Sequence, residues 1–133
     1  MQAEIHSLER ELTELDYVRL KKLNATNGTR ELADVLANAE VIPGSQIDAS
    51  VLTMNTRFEL EELDTGEHRV LTLSYPDDAH PSDGSISVLS PLGCSLIGLR
   101  PGDIAQWHTP SGTKSGTVRA VLFQPEASGD YVS

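Results

Sequence analysis

Several groupings of residues in this chain have the types and spacing to carry chemistry. Asp77-Asp78-Ala79-His80-Pro81-Ser82-Asp83 puts three carboxylates and an imidazole into one short stretch. Such side chains bind zinc or calcium when they converge, but this spacing matches no standard zinc or calcium loop. A solvated acidic turn is the favoured reading. Glu31 and Asp34 are one helical step apart, so a helix would set them on one face. Convergent oxygens of that kind could hold a hard cation. At a helix start, however, acids serve far more often as partners of the macrodipole. Ser, His and Asp all occur, yet no Gly-x-Ser-x-Gly nucleophile elbow does. Gly112 to Gly116 form a turn with Lys114 at its tip, and the spacing of a phosphate loop is absent. No nucleotide site is expected.

Cys94 is the only cysteine, so no internal disulfide can form. It falls within an apolar helical stretch and reads as a small buried hydrophobe rather than a nucleophile. Trp107 alternates with Ile104 and Gln106 and shares a face with Ala105. A core position is favoured over a partner-facing anchor, because a lone tryptophan supplies much of a small domain's packing.

The chain of 133 residues carries a net charge of −10 at pH 7. Residues 1–44 hold five bases against eight acids, and residues 45–133 five against twelve, so the acid excess sits mainly in the second part. Nucleic-acid affinity rests largely on neutralising phosphates with Lys and Arg. Free duplex DNA is therefore a poor candidate partner, and a basic protein surface a better one. The lone cysteine suits a reducing compartment. With no long apolar run and no signal-peptide pattern, a cytoplasmic location is expected.

The elements that must position these residues follow from periodicity. Leu8, Leu12, Leu15, Val18, Leu20 and Leu23 recur at steps of three and four. Thr13 and Asp16 have capping-box spacing, so the main first helix starts near Glu14 and residues 1–12 form a looser helical tail. Asn24 to Thr29 is a breaker. Thr29 caps a second helix over Arg30 to Ala39, which Val41 to Gly44 end. This predicts a helical hairpin over residues 1–44, with arms of about ten residues and about 15 Å. A polar linker, residues 44–50, leads to a second domain over 45–133. There, strands are expected at Arg57 to Leu63, Glu67 to Tyr75, Ile86 to Leu89, Ile104 to His108 and Thr117 to Phe123. Pro91 to Ile97 reads as a helix with proline in its first turn, stopped by Gly98. The expected class is α+β, with an antiparallel sheet and one helix on its face.

Three segments carry a family resemblance. Val51-Leu52-Thr53-Met54-Asn55-Thr56-Arg57-Phe58 is followed by a strand and the Asp64-Thr65-Gly66 turn. Ile86 to Asp103 gives strand, Ser90-Pro91 helix start and Pro101-Gly102-Asp103 turn. Gln124-Pro125-Glu126-Ala127-Ser128-Gly129-Asp130-Tyr131 closes the set. Together, over roughly residues 51–131, they resemble the C-terminal domain of the bacterial GreA/GreB transcript-cleavage factors, the last segment being that of the family's short members. The resemblance implies an FKBP-like fold, an antiparallel sheet packed on one short helix behind a short coiled-coil hairpin. It implies RNA polymerase as partner, at the rim of the secondary channel. Residues Leu89, Ser90, Pro91, Leu92, Gly93, Arg100, Gly102 and Asp103 would frame that contact. Leu89 stands where the cleavage factors carry an acid, so an apolar contact replaces an ion pair.

In the cleavage factors a long hairpin carries an acidic pair to the polymerase active site. Here the expected tip, Asn24, Asn27 and Gly28, bears no carboxylate, and Glu31 and Asp34 lie just beyond the turn. The resemblance thus implies a non-catalytic regulator that competes with Gre-type factors without stimulating cleavage. It implies no cofactor, metal or membrane, and nucleic-acid contact only inside the transcription complex. Two other classes stay open. One is an FKBP-type prolyl isomerase, whose pocket would be short of aromatics, since the chain has one Trp, three Tyr and two Phe. The other is a homodimeric interaction module, the oligomeric state being undetermined by sequence.

Overall fold

A computed structural model describes residues 9–132. The first elements are a short strand, Glu11–Thr13 (β1), two helices, Glu14–Asn27 (α1) and Arg30–Asn38 (α2), and a second short strand, Glu40–Ile42 (β2). Thr13 caps α1 by accepting the Asp16 N–H at 3.0 Å, and Thr29 caps α2 by accepting the Leu32 N–H at 3.0 Å. Each hydroxyl satisfies a backbone donor that has no partner inside its own helix.

Three expectations about this region need correction. The anticipated helical tail falls partly on residues 1–8, outside the described residues, and Glu11 to Thr13 are extended rather than helical. They pair in parallel with Glu40–Ile42, the stretch read from sequence as a mere helix ending. The backbone groups here are spent sideways: the Glu11 N–H donates to Gly98 O at 3.2 Å and the Glu40 N–H to Arg10 O at 2.9 Å. A helix would need those same groups along its axis. Finally, α1 continues through the supposed breaker to 14 residues, not about ten. It stops at Gly28, where a Cβ would sit 2.0 Å from Asn24 O.

The remaining strands are Arg57–Glu62 (β3), His68–Ser74 (β4), Ser85–Ser87 (β5), Ile104–Thr109 (β6) and Gly112–Phe123 (β7), with one helix, Pro91–Leu96 (α3). They form a five-stranded sheet of order β5-β4-β3-β7-β6. The β3–β4, β3–β7 and β6–β7 pairs are antiparallel, as expected, but β5 lies parallel to β4. The loop between them is the reason. Two 3-10 turns, Pro76–Asp78 and Pro81–Asp83, make it long enough to cross back before pairing.

Alternation places Phe58 and Leu60 of β3, Leu71 and Leu73 of β4, and Ala105 and Trp107 of β6 on the buried face. Leu96 of α3, and Leu99 just after it, close over that face. Leu12, Leu20, Leu32, Val35 and Leu36 belong to the same hydrophobic cluster, so the hairpin packs into the sheet's core along one side. Val18, counted in the apolar stripe, is exposed instead. No helix among the described residues is long and apolar enough to cross a membrane.

Candidate docking surface

The Ser90-Pro91 turn is rigid for local reasons. The Ser90 hydroxyl donates to Ser87 O at 2.7 Å and accepts the Gly93 N–H at 3.0 Å, which caps α3. Pro91 follows at the first helical position, where a missing N–H costs nothing. Its ring is exposed, whereas Leu89, Ser90 and Leu92 are half-buried and Gly93 is buried. A Cβ on Gly93 would lie 2.0 Å from Ser87 O, so only glycine lets α3 approach β5 this closely. Ser90 thus spends its hydroxyl inward, and Pro91 is the part of this turn presented to solvent.

The far end of α3 is held by Arg10. Its guanidinium Nη1 donates to Cys94 O and Ile97 O, each at 3.0 Å, and burial lowers its pKa. Gly98 then turns the chain at φ 84°, the left-handed conformation that glycine accepts most readily. Beyond it, Asp103 Oδ2 accepts the Arg100 N–H at 2.9 Å and shapes the Pro101-Gly102 turn. The Arg100 side chain pairs with Glu11 at 2.7 Å, an ion pair that ties this turn to β1. Arg100 and Gly102 are exposed and Asp103 is half-buried.

A groove of about 780 Å³ runs between α2, α3 and β6. Glu31, Asp34 and Val35 form one wall and Pro91, Cys94 and Ser95 the other, with Trp107 among the lining residues. Glu31, in the first turn of α2 just past the tip, and Asp34 thus line the same groove as Pro91. The fields of both acids act on the Cys94 thiol. Burial pushes that thiol up to about 11, the two acids add to the shift, and Arg10 opposes it. A thiol so placed stays protonated at neutral pH and is a poor nucleophile.

The tip is a compact uncharged turn in which Asn24 Oδ1 accepts the Thr29 N–H at 3.0 Å. Asn24 is half-buried, whereas Asn27 and Gly28 are exposed. Asp77, Asp78, His80 and Asp83 lie exposed on their loop. Among the described residues, no three His, Cys, Asp or Glu side chains converge as metal ligands. Trp107 is buried against the core and also faces the groove.

Two contributors escaped the reading of the sequence. Arg10 carries no local signal of burial, because its acceptors lie over 80 residues away. Asp16 is the other. Its carboxylate is 3% exposed and accepts the Met54 N–H at 3.1 Å, joining α1 to the stretch before β3. The Thr13–Asp16 cap was legible, but nothing nearby in sequence marked Asp16 as buried.

The family described as transcription elongation factor GreA/GreB, C-terminal, matches residues 47–123, more than half of the chain. The chain belongs to the GreA/GreB family. The regulator of nucleoside diphosphate kinase from Escherichia coli K12 is 39% identical over 98 residues, 73% of this chain and 72% of that protein. Transcription elongation factor GreA from Desulfovibrio desulfuricans is 36% identical over 91 residues, 68% of this chain but 49% of its own length. In structure, a GreA/GreB transcription elongation factor from Nitrosomonas europaea superimposes with a TM-score of 0.73 at 34% identity. That match covers 86% of this chain and 98% of the other. The relatives of this GreA/GreB member are thus named as regulators and transcription factors, and the mixed α+β fold agrees with theirs.

Proposed function

We propose that the chain is a non-catalytic transcription regulator that docks on RNA polymerase at the rim of the secondary channel and competes there with Gre-type factors without stimulating transcript cleavage. The observation that carries this reading is a short hairpin with an uncharged tip, mounted on a GreA/GreB C-terminal module. Its arms of 14 and nine residues reach about 21 and 14 Å by helix rise. The tip from Asn24 to Thr29 offers amides and hydroxyls but no carboxylate, so it has nothing with which to hold an active-site metal.

In this reading Pro91 and the adjoining groove form the grip. The half-buried Leu89 and Leu92 and the exposed Pro91 supply apolar contact, and Glu31 and Asp34 face a basic partner across the groove. Arg100 acts through its pair with Glu11, holding the turn in place. The prolyl isomerase alternative gains no support from the groove, where Trp107 is the one Phe, Tyr or Trp among the lining residues.

The test is capture of core RNA polymerase by the tagged protein, followed by competition against a Gre cleavage factor on stalled elongation complexes. Wild type should be captured, should displace the cleavage factor and should leave nascent RNA at full length. Absence of capture, or shortening of RNA in backtracked complexes, would overturn the function. Binding by Pro91→Ala and by Glu31→Lys/Asp34→Lys equal to that of wild type would overturn the site alone.

A further inference from the structure

The segment after β7 is built into the seam between the hairpin and the sheet. Gln124 is buried, and its Nε2 donates to Asp48 O at 2.7 Å and Val51 O at 2.8 Å. Glu126 Oε1 accepts the Thr53 hydroxyl at 2.7 Å, and Thr53 in turn bonds Thr56. The next residue, Met54, donates its N–H to Asp16 on α1. So the first part of this segment fixes the stretch that α1 grips.

The chain then reverses. The Asp130 N–H returns to Pro125 O at 2.9 Å, and Gly129 closes the turn at φ 92°. This sends the next residues back over the hairpin base. The Tyr131 ring lies 3.5 Å from the position a Cβ on Gly44 would occupy. The Val132 carbonyl accepts Arg19 Nη2 of α1 at 2.9 Å. Unlike Gln124, these two residues are exposed, Tyr131 at 47% and Val132 at 76%.

We propose that residues 124–132 are a two-stage strap. Gln124 and Glu126 are its fixed anchor, and Tyr131 and Val132 are a releasable arm that holds α1 against the sheet. Contacts on the surface open at low free-energy cost, whereas the buried amide of Gln124 does not let go without wider unfolding. Release of the arm loosens the base of the hairpin while the sheet stays intact. The strap regulates how the hairpin is carried, and it stands whether or not the polymerase reading does.

Hydrogen exchange read by mass spectrometry tests it in a chain ending at Asp130, which keeps the anchor and every core residue. Amides of α1 should exchange about threefold to tenfold faster, the loss expected for one exposed hydrogen bond and a half-covered ring, with β3, β4 and β7 unchanged. Arg19→Gln should reproduce part of the effect, since Arg19 also faces Tyr75. A Gly44→Cys/Tyr131→Cys pair, once oxidised, should slow α1 exchange to or below the wild-type rate, and reduction should reverse this. Unchanged α1 exchange in the shortened chain would overturn the proposal. So would acceleration spread equally over α1 and the sheet.

Discussion

Replacing Asp16 by Asn should stabilise the protein above pH 7 and remove part of its acid dependence. The carboxylate is held between α1 and the stretch before β3, where burial pushes its pKa from 3.8 up to about 6. The Met54 N–H at 3.1 Å and the Thr13 hydroxyl work against that shift, and Glu126 adds to it. Because the folded-state value is raised, ionisation costs the folded protein more than the unfolded chain. The penalty is absent below about pH 4, grows as pH rises through 6 and is complete above 7, where it amounts to about 3 kcal/mol. Asparagine keeps an acceptor for Met54 and carries no charge to bury. The favourable charge in the first turn of α1 is already contained in that net penalty. The expected gain for Asp16→Asn is therefore about 3 kcal/mol at pH 8 and well under about 1 kcal/mol at pH 4. Urea denaturation of both proteins between pH 4 and 8 measures it, since the difference cancels the other titrating groups. A difference that does not change with pH, or an asparagine variant less stable at pH 8, would refute the reasoning.

Three further outcomes are expected. Gly93→Ala should cost at least about 3 kcal/mol, read as a fall in Tm, because the added Cβ meets Ser87 backbone at 2.0 Å rather than a side chain that could move aside. Arg10→Met should destabilise by about 2–3 kcal/mol in chemical denaturation, as it leaves the Cys94 and Ile97 carbonyls without their charged donor. Cys94 should resist a thiol reagent at pH 8 in the folded protein and react fully in urea, since burial holds the thiol at about 11.

What the sequence revealed was local. Thr13 and Thr29 announced their helices because a cap needs only a hydroxyl three residues ahead of its N–H donor. Ile104 to Thr109 showed its buried face through strict alternation, and Gly98 marked the end of α3. The parallel pairing of β1 with β2 did not show, because three residues are too few to display a period of two. Nor did Asp16 differ in sequence from an ordinary surface acid of a first helical turn. The groove was hidden for another reason. It joins residues 31–35, 91–95 and 107, and only tertiary packing brings those together. Glu31 and Asp34 drew notice as a pair, but their place on one groove with Pro91 could not be read from their spacing.

The parallel pairing of Glu11–Thr13 with Glu40–Ile42 stitches the outgoing and returning chains together at one place. Everything between those stitches is a closed loop whose ends are already anchored. Whole turns could be added at the far end of α1 and α2, between Leu23 and Leu32, with little disturbance to the foundation below, whereas Leu20, Leu32, Val35 and Leu36 belong to the core and cannot be removed so freely. Reach and attachment are thus separate variables in this architecture.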